Sequence, residues 1–174
     1  MGLGLFAQSF TTMPLTFAYV GQAEAPQGRA DVIDARGEGT FALRLFLTSD
    51  THLPIMVSWQ QPPAGVAIKV PGYPAPENPP PGTVVVDAPP PPPEGASQAD
   101  KDKYAKDLAD LRKQAQARTI EWRLYYQDYR DTGGGVQWPF RMRRAVGADT
   151  IEETTVDRYR VNAKIDPKKF EVVK

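Results

Sequence analysis

Apolar and polar residues alternate along much of the chain, and this period of two predicts an antiparallel β-sheet with one apolar face. Residues 40–48 and 53–59 show the clearest alternation. Their apolar positions are Phe41, Leu43, Leu45 and Leu47 in the first run and Leu53, Ile55, Val57 and Trp59 in the second. A five-residue turn over 48–52 predicts a hairpin in which every cross-strand pair is apolar. The predicted pairs are Leu45–Ile55, Leu43–Val57 and Phe41–Trp59.

The same alternation predicts most of the other strands. They are expected over residues 15–21, 29–36, 119–130, 136–146 and 151–162, with a short strand over 83–87. In the last third of the chain the apolar positions are Ile120, Trp122, Leu124 and Tyr126, followed by Trp138, Phe140 and Met142. If residues 147–150 form the final turn, Arg144 faces Glu153 and Trp138 faces Tyr159.

Proline dominates the middle of the chain. Thirteen of the 18 prolines fall between Pro62 and Pro93. Residues 60–98 are therefore predicted to form a proline-rich insertion with polyproline II segments. A solvated loop on a sheet edge and a docking segment for another protein both fit this composition.

A helix is predicted over residues 99–118. Ser97 is suited to the N-cap, and Asp100 to the helical position that answers it. A narrow apolar stripe runs along this helix through Tyr104, Leu108 and Leu111, which indicates a helix lying on a sheet. The chain is thus predicted to be mainly β (α+β), with one helix packed on an antiparallel sheet. It forms a single domain over residues 1–174, or the C-terminal fragment of one.

Composition excludes several kinds of site. The chain has no cysteine, which removes disulfides, thiolate nucleophiles and cysteine-ligated metals. Its net charge is zero, so no global charge favours nucleic acid or an acidic membrane surface.

The apolar start Met1–Ala7 lacks a basic region and is too short to span a membrane. We interpret the chain as beginning inside a longer precursor.

No set of catalytic residues stands out. His52 is the single histidine, and no Ser, Asp or Glu cluster lies near it at triad or metal spacing. Glu152 and Glu153 are adjacent, so on a strand they point to opposite faces. The glycines at 133–135 join two strands and are not followed by Lys-Ser/Thr, unlike a phosphate-binding loop. We expect no enzyme activity, metal, cofactor or nucleic-acid partner. A hydrolase with His52 as its base ranks third among the functions considered.

Three segments resemble the LolA-like family of outer-membrane lipoprotein-sorting proteins. The first runs from Tyr19-Val-Gly21 through Leu45-Phe-Leu47 to Asp50-Thr-His-Leu-Pro54, the second from Tyr129-Arg-Asp131 to Gly135-Val-Gln-Trp-Pro-Phe-Arg141, and the third from Asn162 to Phe170. The first segment is also similar to related periplasmic sensors that bind lipoproteins. The proline-rich insertion departs from the family pattern.

The resemblance implies a curved antiparallel sheet that forms an open half-barrel in the periplasm. Its apolar concave face would shelter the acyl chains of a lipid or an acylated lipoprotein, without covalent chemistry. The residues implied to line this face are Phe41, Leu43, Leu45, Ile55, Val57, Trp59, Trp122, Leu124, Trp138 and Phe140. The helix would act as a lid through Tyr104, Leu108 and Leu111.

Two main functions remain open at this point. The leading hypothesis is a non-enzymatic periplasmic carrier or sensor of lipids or lipoproteins that does not span the membrane. The alternative is a structural or protein-interaction module of the cell envelope, in which the sheet is fully packed and the proline-rich loop binds an envelope protein. The apolar rows fit both, since they serve equally as core or as ligand surface.

Overall fold

The computed structural model describes residues 14–25, 28–74, 77–133, 135–161 and 164. Within them lie nine strands and one helix. In chain order the elements are β1 (Thr16–Ala25), β2 (Gly28–Arg36), β3 (Ala42–Thr48), β4 (Pro54–Gln61), β5 (Gly65–Lys69), β6 (Thr83–Asp87), α1 (Gln98–Gln116), β7 (Ile120–Asp131), β8 (Gln137–Val146) and β9 (Asp149–Thr155).

Seven strands form one large antiparallel sheet in the order β1-β2-β3-β4-β7-β8-β9, while β5 and β6 form a small parallel sheet. The chain leaves the large sheet after β4, builds β5, β6 and α1, and returns as β7 beside β4. The large sheet is not closed into a barrel, because β1 and β9 are its two edges. The predicted mainly β fold with an antiparallel sheet and one helix is confirmed.

Alternating side chains give the large sheet two different faces. On β3, Leu43 and Leu45 are each 8% exposed, whereas Arg44 between them points to solvent. The buried residues cluster with Ala35 and Val57 from the neighbouring strands. We call the side that carries this cluster the apolar face, and the side that carries Arg44 the polar face.

The β3–β4 hairpin is present, but its register differs from the predicted one by two residues. Leu43 pairs with Trp59 and Leu45 with Val57, so the predicted pairs were wrong. The cause is a longer turn together with a β-bulge, in which Ile55 is the extra residue on β4. Because the shift is an even number of residues, the same side chains stay on the apolar face.

The β8–β9 hairpin also has a different register. Arg144 lies opposite Glu152, so the predicted Arg144–Glu153 pair was wrong. The turn is shorter than the four residues expected, and a bulge at Ile151 shifts the ladder beside Ala145.

Strand β9 ends at Thr155, earlier than the sequence predicted. The predicted end at Asn162 lies outside the described residues, as do Met1–Ala7 and most of the segment from Asn162 to Phe170 that resembles the LolA-like family.

The insertion contains more regular structure than its prolines suggest. Strand β6 occurs where it was predicted, and β5, which was not predicted, pairs with it in parallel. At the start of α1, the Ser97 hydroxyl accepts a hydrogen bond from the backbone N–H of Asp100 at 3.2 Å, as expected for an N-cap.

The helix packs mainly against β5 and β6, and not on the large sheet as predicted from the sequence. Val86 on β6 and Ala115 on α1 are both buried. The strands β5 and β6 are close to α1 along the chain and offer an apolar surface. The narrow apolar stripe of α1 packs against that surface.

Candidate ligand-binding face

Two rows of apolar side chains cross three strands on the apolar face. The first row is Leu43–Trp59–Trp122 and the second is Leu45–Val57–Leu124, each made of direct cross-strand neighbours. Both rows depend on β7 returning to pair with β4 after the insertion. Side chains far apart in the sequence are therefore adjacent in the sheet.

The side chains in these two rows differ in solvent exposure from one strand to the next. Leu43, Leu45 and Val57 are buried, and Val57 is only 5% exposed. Trp59 and Leu124, packed against that cluster, are half-buried. The β3 side of the apolar face is thus a packed core, while its β4–β7 side keeps apolar surface within reach of solvent.

Two tryptophans mark this accessible side. The rings of Trp59 and Trp122 stack with their centroids 6.3 Å apart and an interplanar angle of 18°. The indole N–H of Trp59 donates to the Gln61 side chain at 3.2 Å. The indole N–H of Trp122 is buried and has no acceptor among the described residues, which is uncommon for a buried polar group.

The sequence-predicted residues do not all gather in one place. Phe41 packs against the core cluster with its side chain half-buried. Ile55 is buried as well, at the bulge on β4. Trp138 and Phe140 instead surround Tyr159, with ring centroids 5.5 and 5.1 Å away, towards the start of β8. This places them in an aromatic cluster separate from the two tryptophans on β4 and β7.

The residues predicted to form a lid lie on α1. Tyr104, Leu108 and Leu111 are half-buried, and the Tyr104 hydroxyl donates to the Pro89 carbonyl at 3.3 Å. Since α1 packs mainly against β5 and β6, these residues belong to the small sheet's unit. That unit borders the apolar face at Gly82, where a Cβ atom would lie 3.0 Å from Cζ2 of Trp122.

A groove on the polar face was not predicted from the sequence. It has a volume of about 320 Å³ and its lining includes Asp34, Arg44, Ser58, Gln60 and Glu121. Arg44 donates from Nε to the Asp34 carboxylate at 2.6 Å and from Nη2 at 3.1 Å. The hydrogen bond from Arg44 holds the pKa of Asp34 below its usual range. The sequence did contain one indication of this groove. Asp34 on β2 and Arg44 on β3 are charged residues at outward positions of two largely apolar strands.

A group of tyrosines lies around Asp128 on β7. Asp128 adopts a positive φ of 56°, and Tyr129 beyond it packs against the same core cluster as Tyr126. The Tyr129 hydroxyl donates to the Pro54 carbonyl at 2.6 Å. Burial raises the pKa of Tyr129 far above its usual value, and the neighbouring Tyr126 and Tyr159 add to the effect.

The described residues show no clustering of the side chains considered for catalysis or metal binding. His52 sits exposed in the β3–β4 turn with a φ of 55°. No group of three or more potential metal ligands occurs in the part of the chain that the structure describes. Within the same residues, no helix is both long and apolar enough to cross a membrane.

No protein-family model, curated protein or solved structure matches this chain.

Proposed function

We propose that this protein is a non-enzymatic carrier or sensor that holds acyl chains of a lipid or an acylated lipoprotein against the apolar face. The observation that carries the proposal is the half-buried pair Trp59–Trp122 beside a packed aliphatic core. Among the described residues, α1 packs mainly against β5 and β6 rather than against β4 and β7. Apolar surface left open in this way is typical of ligand or partner sites.

The energetics of acyl binding fit such a surface. Burying a segment of about ten methylenes gains roughly 8 kcal/mol, at about 0.8 kcal/mol for each CH₂. Part of this gain offsets the ordering of the chain and the loss of its freedom in solution. An open sheet face therefore binds acyl chains without charged contacts. The resemblance to the LolA-like family supports the same ligand class and a periplasmic location.

Fluorescence quenching by brominated phospholipid tests the proposal, because the chain has three tryptophans. Trp59 and Trp122 lie on the proposed face, whereas Trp138 lies beside Tyr159. Trp138→Phe should leave the quenching intact. The double variant Trp59→Phe/Trp122→Phe, which retains only Trp138, should show little quenching when lipid binds.

A matched pair of substitutions locates the site further. Leu124→Asp puts a charge into the second apolar row, and Val136→Asp puts the same charge at a position that is already 42% exposed. Lipid retained in native mass spectra of the second variant and lost from the first, with both folded by circular dichroism, is the expected result. No quenching and no bound lipid in the unmodified protein would rule the proposal out.

The exposed proline run favours a second candidate function, docking of a protein partner in the cell envelope. Residues 89–93 form no helix or strand, and most of their side chains are exposed, as in polyproline II ligands of aromatic-lined grooves. Deleting residues 62–96 would also remove β5 and β6. The cleaner test replaces Pro90 and Pro91 with serine and measures pull-down of envelope proteins. Loss of a specific partner with lipid binding unchanged would favour this function.

A further inference from the structure

The polar groove has a buried hydroxyl group in its lining. Ser58 on β4 lies directly between its cross-strand neighbours, Arg44 on β3 and Arg123 on β7. Ser58 is only 6% exposed, and its hydroxyl makes no hydrogen bond to any residue that the structure describes. Buried hydroxyl groups usually have a hydrogen-bond partner. Because Ser58 lines the groove, its hydroxyl is available to a molecule bound there.

The dimensions of the groove suit a small molecule. Its lining includes the short side chains of Ala42 and Ser58 beside the long side chains of Arg44 and Gln60. The volume of about 320 Å³ corresponds to roughly ten water molecules at about 30 Å³ each. This volume lies at the lower end of the range of small-molecule sites.

The two carboxylates of the groove are already bound by arginines. Asp34 accepts from Nε and Nη2 of Arg44 at 2.6 and 3.1 Å. Glu121 accepts from Nε of Arg123 at 2.9 Å and also from its Nη2. Neither carboxylate therefore offers a free negative charge to a ligand, and a cationic ligand has no counter-ion in the groove.

The donors of the groove are not used up in the same way. The Nη1 group of Arg44 has no acceptor among the described residues, and the Arg36 side chain forms no ion pair with any of them. Arg36 lies near Asp34, because its charge adds to the hydrogen bond from Arg44 in lowering the pKa of that carboxyl. With Arg123 included, three guanidinium groups face two carboxylates. The surplus is one positive charge and several N–H donors.

We propose that the polar groove binds a small hydroxylated anion, whose phosphate or carboxylate group is held by Arg36 and Arg44. The hydroxyl groups of the ligand hydrogen-bond to Ser58 and to the Gln60 amide, which both donates and accepts. Guanidinium groups are suited to this role because their planar donor pairs match both kinds of anion. The inference concerns the opposite face of the sheet from the acyl site and is independent of it.

Isothermal titration calorimetry at low ionic strength tests the proposal, since salt screens the interaction. Three probes share a three-carbon body and differ in charge: glycerol 3-phosphate, glycerate and glycerol. Glycerol 3-phosphate or glycerate should bind, and glycerol should give no heat of binding. An equal response to all three, or to none, would overturn the proposal.

Three variants locate the site. Arg36→Gln should raise the dissociation constant of the bound anion at least about tenfold, because a charge-assisted contact is lost. Arg112→Gln, which removes the same charge from an exposed position on α1, should change it less than about twofold. Ser58→Ala should raise it about threefold or more by removing the hydroxyl. Equal effects of Arg36→Gln and Arg112→Gln, with both variants folded by circular dichroism, would mean that net charge alone attracts the anion and would overturn the proposal.

Vesicles distinguish a soluble ligand from a lipid headgroup of the same chemistry. Phosphatidylcholine vesicles that contain phosphatidylglycerol present a phosphate ester at a surface. For a soluble ligand, Arg36→Gln should not change co-sedimentation with these vesicles. Vesicle binding that Arg36→Gln abolishes, without binding of free glycerol 3-phosphate or glycerate, would assign the groove to a headgroup and overturn the proposal of a small soluble ligand.

Discussion

Trp122 on β7 lies directly opposite Trp59 on β4, and its ring edge meets Gly82, the residue that precedes β6. One indole therefore joins the large sheet to the unit formed by β5, β6 and α1. A Cβ atom at position 82 would come within 3.0 Å of the ring and 3.5 Å of the Ala64 Cβ. Close approach and a positive φ of 82° both require glycine at this position.

Replacing Gly82 with alanine should destabilise the protein through this contact. Gly72→Ala is a matched control, because Gly72 has a φ of 83° and open space around its Cα. We expect Gly72→Ala to cost about 1 kcal/mol through backbone strain alone. Gly82→Ala should cost about 1–2 kcal/mol more, owing to the clash with the indole. Urea unfolding measures both, and equal losses would contradict the predicted contact.

The register of the last hairpin can be tested by charge coupling. The guanidinium of Arg144 lies 2.7 Å from the carboxylate of Glu152, and about half of each side chain is exposed. A double-mutant cycle with Arg144→Gln and Glu152→Gln should give a coupling free energy of about 0.2–1 kcal/mol that falls with added salt. The corresponding cycle with Glu153→Gln should give almost none. Stronger coupling to Glu153 would restore the register predicted from the sequence.

Tyr129 should make the protein sensitive to alkaline pH. Its pKa is raised in the folded state, so the stabilisation is complete below the unfolded value of about 10 and is lost as the pH rises towards the folded value. Tyr129→Phe should cost about 1 kcal/mol at neutral pH by removing the hydrogen bond to Pro54, and should weaken the alkaline loss. Tyr73→Phe, at a 67% exposed position, should change neither. Chemical unfolding between pH 7 and pH 11 provides the comparison.

Asp34 should contribute to stability on the acid side. Its pKa is lowered by Arg44, so its contribution is present above the unfolded value of about 3.9 and is lost as the pH falls through the folded value. Asp34→Asn should therefore be less stable than the unmodified protein at pH 7, and the difference should vanish near pH 2. Arg44→Gln breaks the same contact from the other side and should show the same pH dependence. A difference that persists unchanged in acid would place its cause elsewhere.

Local sequence patterns were sufficient to predict most of the elements. The period of two located the large sheet's strands, although β9 ends at Thr155 rather than at Asn162, and it assigned Leu43, Leu45 and Val57 correctly to one face. Ser97 marked the helix start because capping is a contact over three residues. In both cases the determining interactions lie within the segment itself.

The registers of the β3–β4 and β8–β9 hairpins could not be predicted from the sequence because they depend on bulges. Ile55 and Ile151 each add one residue to a strand, and alternation cannot reveal this when residues on both sides remain compatible with the same face. Trp138 and Tyr159 do meet, with their ring centroids 5.5 Å apart, but not as the predicted strand pair, because β9 ends at Thr155.

The sequence by itself determined where most strands of the large sheet lie and which of their side chains share a face, since both follow from local spacing. Only the tertiary structure decided that β7 pairs with β4, that α1 packs on β5 and β6, and that Trp59 stacks on Trp122. It also placed Asp34 and Arg44 together in the polar groove. The physical reason is that several apolar surfaces compete for each partner, and the choice depends on the packing of the whole chain rather than on any one segment.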